Sequence, residues 1–288
     1  MSDGVFEEER PRLVALAYRL LGSAAEAEDV VQDAYIRYRD LDAAEIRNPS
    51  ALLTTMVTRM AINVLASARW RRERYEGPWL PEPVVTGMER DPGSISTAFL
   101  LLLETLSPRE RAVFVLAKVF DYNHAEISEF LGVDVTTSRQ LLHRASEHIE
   151  SRKPRFRYAP AVHARLVQEF LIACSTGDPE RLGRVLATDV VARTDHGGKA
   201  QAARRLIIGV DRVARFALGL ARKTAESAAR YHLLPINGGP GLVLLHGGIP
   251  VTAITFETDG ERICEINIVR NPDKLRPLHA LASSMTAS

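Results

Sequence analysis

Apolar residues recur every three or four positions through the first half of the chain and alternate through its last quarter, so the pattern predicts helices first and strands last. Leu13, Leu16, Ala17, Leu20 and Leu21 make one buried helical stripe that ends at Gly22. Ser23 and Glu26 open the next helix as a capping box. There Ala27, Val30, Val31, Ala34, Tyr35 and Tyr38 point inward, which turns Asp29, Gln32 and Asp33 out together. Asn48 and Pro49 start a long third helix. Its inner side carries Leu53, Met56, Val57, Met60, Ala61, Val64, Leu65 and Ala68; Thr55, Thr58, Arg59, Ile62 and Asn63 share the other. It runs into a cluster of Arg69, Arg71, Arg72 and Arg74 with Trp70 embedded, a composition suited to single-stranded bases and backbone but, taken alone, more often a capped helix end with Trp70 packed on the core.

Residues 123–149 predict two short amphipathic helices around Gly132. Asn123 caps the first with Glu126 at the third position, and Asp134 caps the second. Leu141, Leu142, Ala145 and Ile149 face inward, leaving Thr136, Arg139, Gln140, His143 and Arg144 outward near the start of the second helix. In a helix-turn-helix that half enters the major groove. Arginine suits guanine's paired acceptors and glutamine the edge of adenine, while Thr137 and Arg144 are better placed for phosphates. The same pattern fits an ordinary helical hairpin with a solvated face.

Between these segments Pro78, Pro81 and Pro83 hold residues 77–85, GPWLPEPVV, extended. Trp79 and Leu80 are poorly suited to solvent, so this connector is expected to dock. From Pro160 the pattern is helical through Cys174 to Gly177, restarts at Asp178 and Pro179, and returns around 212–222. Four strand-like strings follow, RYHLLPI, GLVLLHG, VTAITFET and RICEINIVR, with turns at NGGPG and at Asp259–Gly260. They predict a curved antiparallel sheet packed by helices.

Length adds that the 288 residues hold two or three domains with real cores. No run approaches the length of a membrane span and the N-terminus is acidic rather than signal-like, so a cytoplasmic protein without membrane contact is expected. Cys174 and Cys264 lie far apart, which argues for reduced thiols and against a metal site or cofactor cluster. The net charge of +1 hides an asymmetry: residues 1–157 carry 21 Lys and Arg against 24 Asp and Glu, and residues 158–288 carry 16 against 12. The half with the DNA-reading pattern is therefore net acidic, which predicts weak unaided DNA binding.

Taken in order, AYRLLGSAAEAEDVVQDAYIRY and NPSALLTTMVTRMAINVLASARWRRERY resemble region 2 of bacterial extracytoplasmic-function (ECF) RNA polymerase sigma factors, and residues 94–152 resemble region 4. WLPEP (Trp79, Leu80, Pro81, Glu82, Pro83), a DGGGK-like string (Asp195, Gly197, Gly198, Lys199) and NPDKL (Asn271, Pro272, Asp273, Lys274, Leu275) resemble the SigJ-like, or ECF41-type, subgroup with a fused SnoaL-like, NTF2-like domain. The resemblance implies a multidomain fold: region 2 over 1–75, a linker over 76–93, region 4 over 94–153, all helical, and an α+β cone over 160–280. It implies RNA polymerase core as partner through the clamp helices of its beta-prime subunit, met by Asp29, Gln32 and Asp33. It implies −10 contacts by Thr55, Arg59, Asn63, Trp70 and Arg71, a base-capturing loop over Asp40 to Asn48, and −35 contacts by Thr136, Thr137, Arg139, Gln140, His143 and Arg144. Promoter DNA is the other partner, no separate anti-sigma factor is expected, and the two remaining motifs join WLPEP as an interdomain regulatory set. Two departures stand out, His196 where the subgroup has glycine and Ser138 at an inward recognition-helix position.

The cone leaves room for a small-molecule ligand. Asp195, His196, His232 and His246 are its acid and base candidates, but a Gly-Gly turn between Asp and Lys more often ends a strand than performs chemistry, so no catalytic residues are expected. The alternative reading is a ligand-binding or isomerase-type domain fused to a helix-turn-helix regulator.

Overall fold

A computed structural model describes residues 2–42, 46–73, 75–86, 95–151, 160–227 and 229–279, with backbone alone for residues 2–3 and 68–73. The chain forms two compact units, residues 1–74 with 99–153, and residues 75–98 with 154–288. The connector thus belongs with the C-terminal part.

The first unit is helical: α1 (Ser2–Leu21), α2 (Ala24–Arg39), α3 (Pro49–Glu73), most of α4 (Thr97–Leu103), α5 (Pro108–Lys118), α6 (His124–Leu131) and α7 (Val135–Glu150). The α1 stripe from Leu13 to Leu21 is fully buried. Gly22, at φ +68°, takes the left-handed conformation that ends the helix, and the Ser23 side chain then accepts the Glu26 N–H to start α2. Asn48 caps α3 by accepting the Ala51 N–H at 3.1 Å. Thr58, expected on the polar side of α3, is fully buried.

The expectation that no run is long enough to span a bilayer needs correcting, since Pro49–Ser67 has 19 residues and a mean hydropathy of 1.2. Its apolar content reflects packing: Leu53, Val57 and Ala61 are fully buried in a helix that meets α1 and α2.

The second unit contains α8 (Pro160–Thr176), α9 (Pro179–Val185), β1 (Leu186–Asp195), β2 (Ile207–Ile208), α10 (Val210–Glu226), β3 (Arg230–Ile236), β4 (Gly239–His246), β5 (Ile249–Thr258), β6 (Ile263–Val269) and a 3-10 turn (Pro272–Leu278). The sheet order is β2-β1-β6-β5-β4-β3. Asn237 and Gly238, both at positive φ, make the tight β3–β4 turn that the Asn-Gly string predicts.

The sheet is not wholly antiparallel, because β1 pairs parallel with β6. β1 escaped the pattern reading because a register shift between Leu186 and Val191 leaves Thr188 and Asp189 exposed and interrupts the alternation. Leu242, Ile254, Phe256, Ile266 and Ile268 face a core shared with Leu166, Phe170, Leu182 and Val213 of the helices. Thr255 and Glu257, on the other face of β5, meet Thr97 and Ala98 at the start of α4, just beyond the connector. Both faces of the central strands are therefore covered.

Candidate nucleic-acid interface and connector site

On α7 the Asp134 side chain accepts the Thr137 N–H at 2.7 Å, and Gly132 closes α6 at φ +63°. Asn123 and Glu126 complete the reciprocal capping box on α6. With Ser138, Leu141, Ala145 and Ile149 buried, Thr136, Arg139, Gln140, His143 and Arg144 all stand exposed, as the pattern requires. Thr137 is half-buried and its hydroxyl is held by Asp134 at 2.6 Å. That bond and the paired amide hold Asp134 below the usual carboxylate range. Ser138 is accommodated by a polar contact, its Oγ lying 2.9 Å from His124 Nδ1.

Asp29, Gln32 and Asp33 are exposed on one side of α2. On α3, Asn63 is exposed and Thr55 donates back to Ala51 O at 2.8 Å. Arg59 is differently placed: its Nε donates to Phe130 O at 2.8 Å and its Nη2 to Glu129 O at 3.1 Å. It thus satisfies carbonyls in the last turn of α6, where the helix dipole favours a cation. Arg12 of α1 joins α3 to the segment leading into α6, donating to Tyr122 Oη at 2.7 Å and Thr54 Oγ1 at 2.9 Å. Leu41, Asp42, Ile46, Arg47, Asn48 and Leu52 line a hollow of about 360 Å³ beside the loop expected to capture a base. Residues 43–45 of that loop and the side chains of Trp70 and Arg71 lie outside the described residues.

The three short motifs converge within the second unit. Asp195, at the end of β1, is fully buried; its Oδ1 accepts Tyr75 Oη–H at 2.5 Å, and its Oδ2 accepts the Leu80 N–H at 2.8 Å and Lys274 Nζ at 2.6 Å. Lys274 also donates to Leu80 O at 2.5 Å, and its ammonium lies 4.2 Å from the Trp79 ring centroid and 4.9 Å from that of Tyr75. Asn271 Nδ2 donates to Tyr75 Oη at 2.7 Å while its Oδ1 accepts the Asp273 N–H. Burial, and then the hydrogen bond to Asp195, push the Tyr75 hydroxyl far above its ordinary range. Asp273 lies below its usual range because Lys199 donates to it.

Gly197 is required twice over, by its backbone and by its close neighbours, and Gly198 by its backbone, since the exposed Glu76 side chain beside it can move. Both have positive φ, and a Cβ at Gly197 would lie 2.5 Å from Asn271 Nδ2 and one at Gly198 2.7 Å from Glu76 Oε2. His196 is not at such a position, so the motif's departure carries no backbone strain; its imidazole lies against Gly77. Leu80, Pro81, Glu82, Pro83 and Leu275 are buried, whereas Pro272 is exposed.

A second anchor follows. Val84 N–H donates to Asn237 Oδ1 at 3.0 Å, Asn237 N–H returns to Val84 O at 2.9 Å, and Thr86 N–H reaches Pro235 O at 2.9 Å. Asn237 Nδ2 donates to Thr97 Oγ1, and Glu257 accepts the Ala98 N–H, each at 3.0 Å. The sequence reading missed Arg12, Tyr75, Tyr122, Asn237 and Glu257. Only Glu257 carried a signal, an acidic residue in an otherwise apolar strand.

A family model of sigma-70 region 2 matches residues 5–71 and one of sigma-70 region 4 matches residues 96–149. The chain is 36% identical to the ECF RNA polymerase sigma factor SigJ of Mycobacterium tuberculosis over 93% of its own length and 91% of the relative's. It is 29% identical to the probable ECF sigma factor SigI of the same species, over 94% and 93%. The crystal structure of Mycobacterium tuberculosis SigJ superposes with a TM-score of 0.75 at 34% identity, covering 95% of this chain and 98% of that one. With regions 2 and 4 in order ahead of an α+β domain that claims the connector between them, the chain belongs to the ECF RNA polymerase sigma factors, proteins that bind polymerase core and direct it to promoters.

Proposed function

We propose that the α+β domain regulates this sigma factor in cis by holding the connector between regions 2 and 4, without turnover of any substrate. The observation that carries this is the Asp195–Lys274 pair, whose buried groups bind the backbone of Leu80 on both sides. A connector fixed there and again at Asn237 has little freedom to extend, so the reach between the two DNA-reading regions is set by a domain that reads no DNA. Asp195 has both oxygens engaged and is unsuited to proton abstraction.

In the same reading Asp29, Gln32 and Asp33 meet the basic clamp helices of the polymerase, the exposed face of α7 reads the −35 element, and Thr55, Arg59, Asn63, Trp70 and Arg71 serve the −10 element. Arg59 engages α6, so its use on DNA requires α3 and α6 to part. Polymerase then provides the nonspecific grip that an acidic N-terminal half lacks, and no separate anti-sigma protein is needed. The test is transcription by core polymerase with Tyr75→Phe, which removes one donor to Asp195. We expect severalfold higher output from the cognate promoter than with the wild-type chain; unchanged output would reject regulation through the connector.

A further inference from the structure

The second unit contains a hollow of about 1090 Å³ between α10 and the helix-facing side of the sheet, slightly larger than the usual range for small-molecule sites. Its floor is apolar, from Phe216, Leu220, Leu244 and Ile268. Its polar side is one-signed: Arg204, Arg215, Lys223 and Arg270 line it, opposed by the single carboxylate of Glu76. Lys199, also at the wall, is engaged by Asp273. Among the described residues no carboxylate lies within ion-pair distance of Arg215 or Lys223, and Arg204 reaches Glu76 only at 4.0 Å. Two buried polar atoms sharpen the picture. Thr194 Oγ1 and Arg270 Nε have no hydrogen-bond partner among the described residues, and Thr194 is 1% exposed. Such groups are costly to leave unmet and would be satisfied by acceptor oxygens entering the hollow.

We propose that this hollow binds an amphipathic anion, an apolar chain or ring body with a carboxylate or phosphate head directed at the arginine and lysine side chains. A neutral lipid would leave the cations unbalanced, and a cation would be repelled. Glu76 gives the site a route to the connector, since it adjoins Tyr75 and shares Arg204 with the hollow. A ligand head at Arg204 competes with Glu76 and repels it. The inference takes its purpose from the cis-regulatory reading but not its chemistry: ligand binding with no effect on transcription would reject that reading and leave this one standing.

Isothermal titration of the full chain with dodecanoate, dodecyl phosphate and dodecanol, each below its aggregation concentration, tests it. We expect at least one anion to bind about tenfold or more tighter than the alcohol, with the two anions separating carboxylate from phosphate recognition. Arg215→Gln with Lys223→Gln should erase that preference, and Glu76→Gln should tighten the anion. Gly219 lies in α10 on the wall, and a Cβ there meets nothing within 4 Å, so Gly219→Phe should fill the hollow and abolish binding. Equal affinity for acid and alcohol, no binding by the wild-type chain, or binding that survives Gly219→Phe in a folded variant would overturn the proposal. Should that variant fail to fold, the wild-type comparison of anion with alcohol decides alone.

Discussion

In the helical unit Thr136, Arg139, Gln140 and His143 stand exposed on α7, fixed only by the buried stripe beneath them, whereas in the sheet unit Asp195 and Lys274 are buried and bound to each other and to Leu80. A side chain that reads a partner must keep its donors and acceptors available; one that holds a segment in place must use them up. The difference predicts that substitutions in the two units fail differently, the first in selectivity and the second in stability.

The strongest test of that contrast is Lys274→Met, which leaves Asp195 buried without its cation. Urea unfolding of the sheet unit should show a loss of about 3–5 kcal/mol, while Lys199→Ala, which removes a half-exposed partner of Asp273, should cost less than about 1 kcal/mol. Equal costs would erase the distinction between buried and surface pairs. Next is pH. Burial pushes His163, on α8, from its ordinary 6.5 down to about 4, so in that interval the unfolded chain binds a proton that the folded one does not. Stability should therefore fall as pH drops from 6.5 towards 4, by roughly 3 kcal/mol more in the wild-type chain than in His163→Asn.

On the helical side, Arg139→Ala should weaken polymerase-dependent binding to the cognate promoter by about 1–3 kcal/mol without lowering the melting temperature. An equal loss on every −35 variant would make Arg139 a phosphate contact. The smallest effect belongs to Asn123→Ala, which removes the α6 cap and should destabilise the helical unit by about 1 kcal/mol in thermal melting.

The helical unit was legible because its signals are local. Asn123, Gly132 and Asp134 each act within four residues of where they stand, and the inward stripe of α7 leaves its exposed face determined by subtraction. The connector site was legible only as three strings without partners. Nothing near Asp195 in sequence shows that Tyr75 and Leu80, 120 and 115 positions away, will bind its oxygens. β1 was hidden for a related reason, since its parallel partner β6 is remote and its own alternation is broken by a bulge. Arg59 shows the converse limit. Its place on α3 was correctly read as outward, but which carbonyls it would find there depended on α6.

Val84 to Thr86 do more than tether the connector: they cap the end of the outer margin of β3, the last strand of the sheet, at Pro235 to Asn237. Strand margins with unsatisfied amides are templates for another chain, and β3 also displays Tyr231 and Leu233. A state that frees the connector therefore extends to Pro235 and Ile236 a margin already open at Tyr231 and Leu233, and is expected to self-associate more as protein concentration rises.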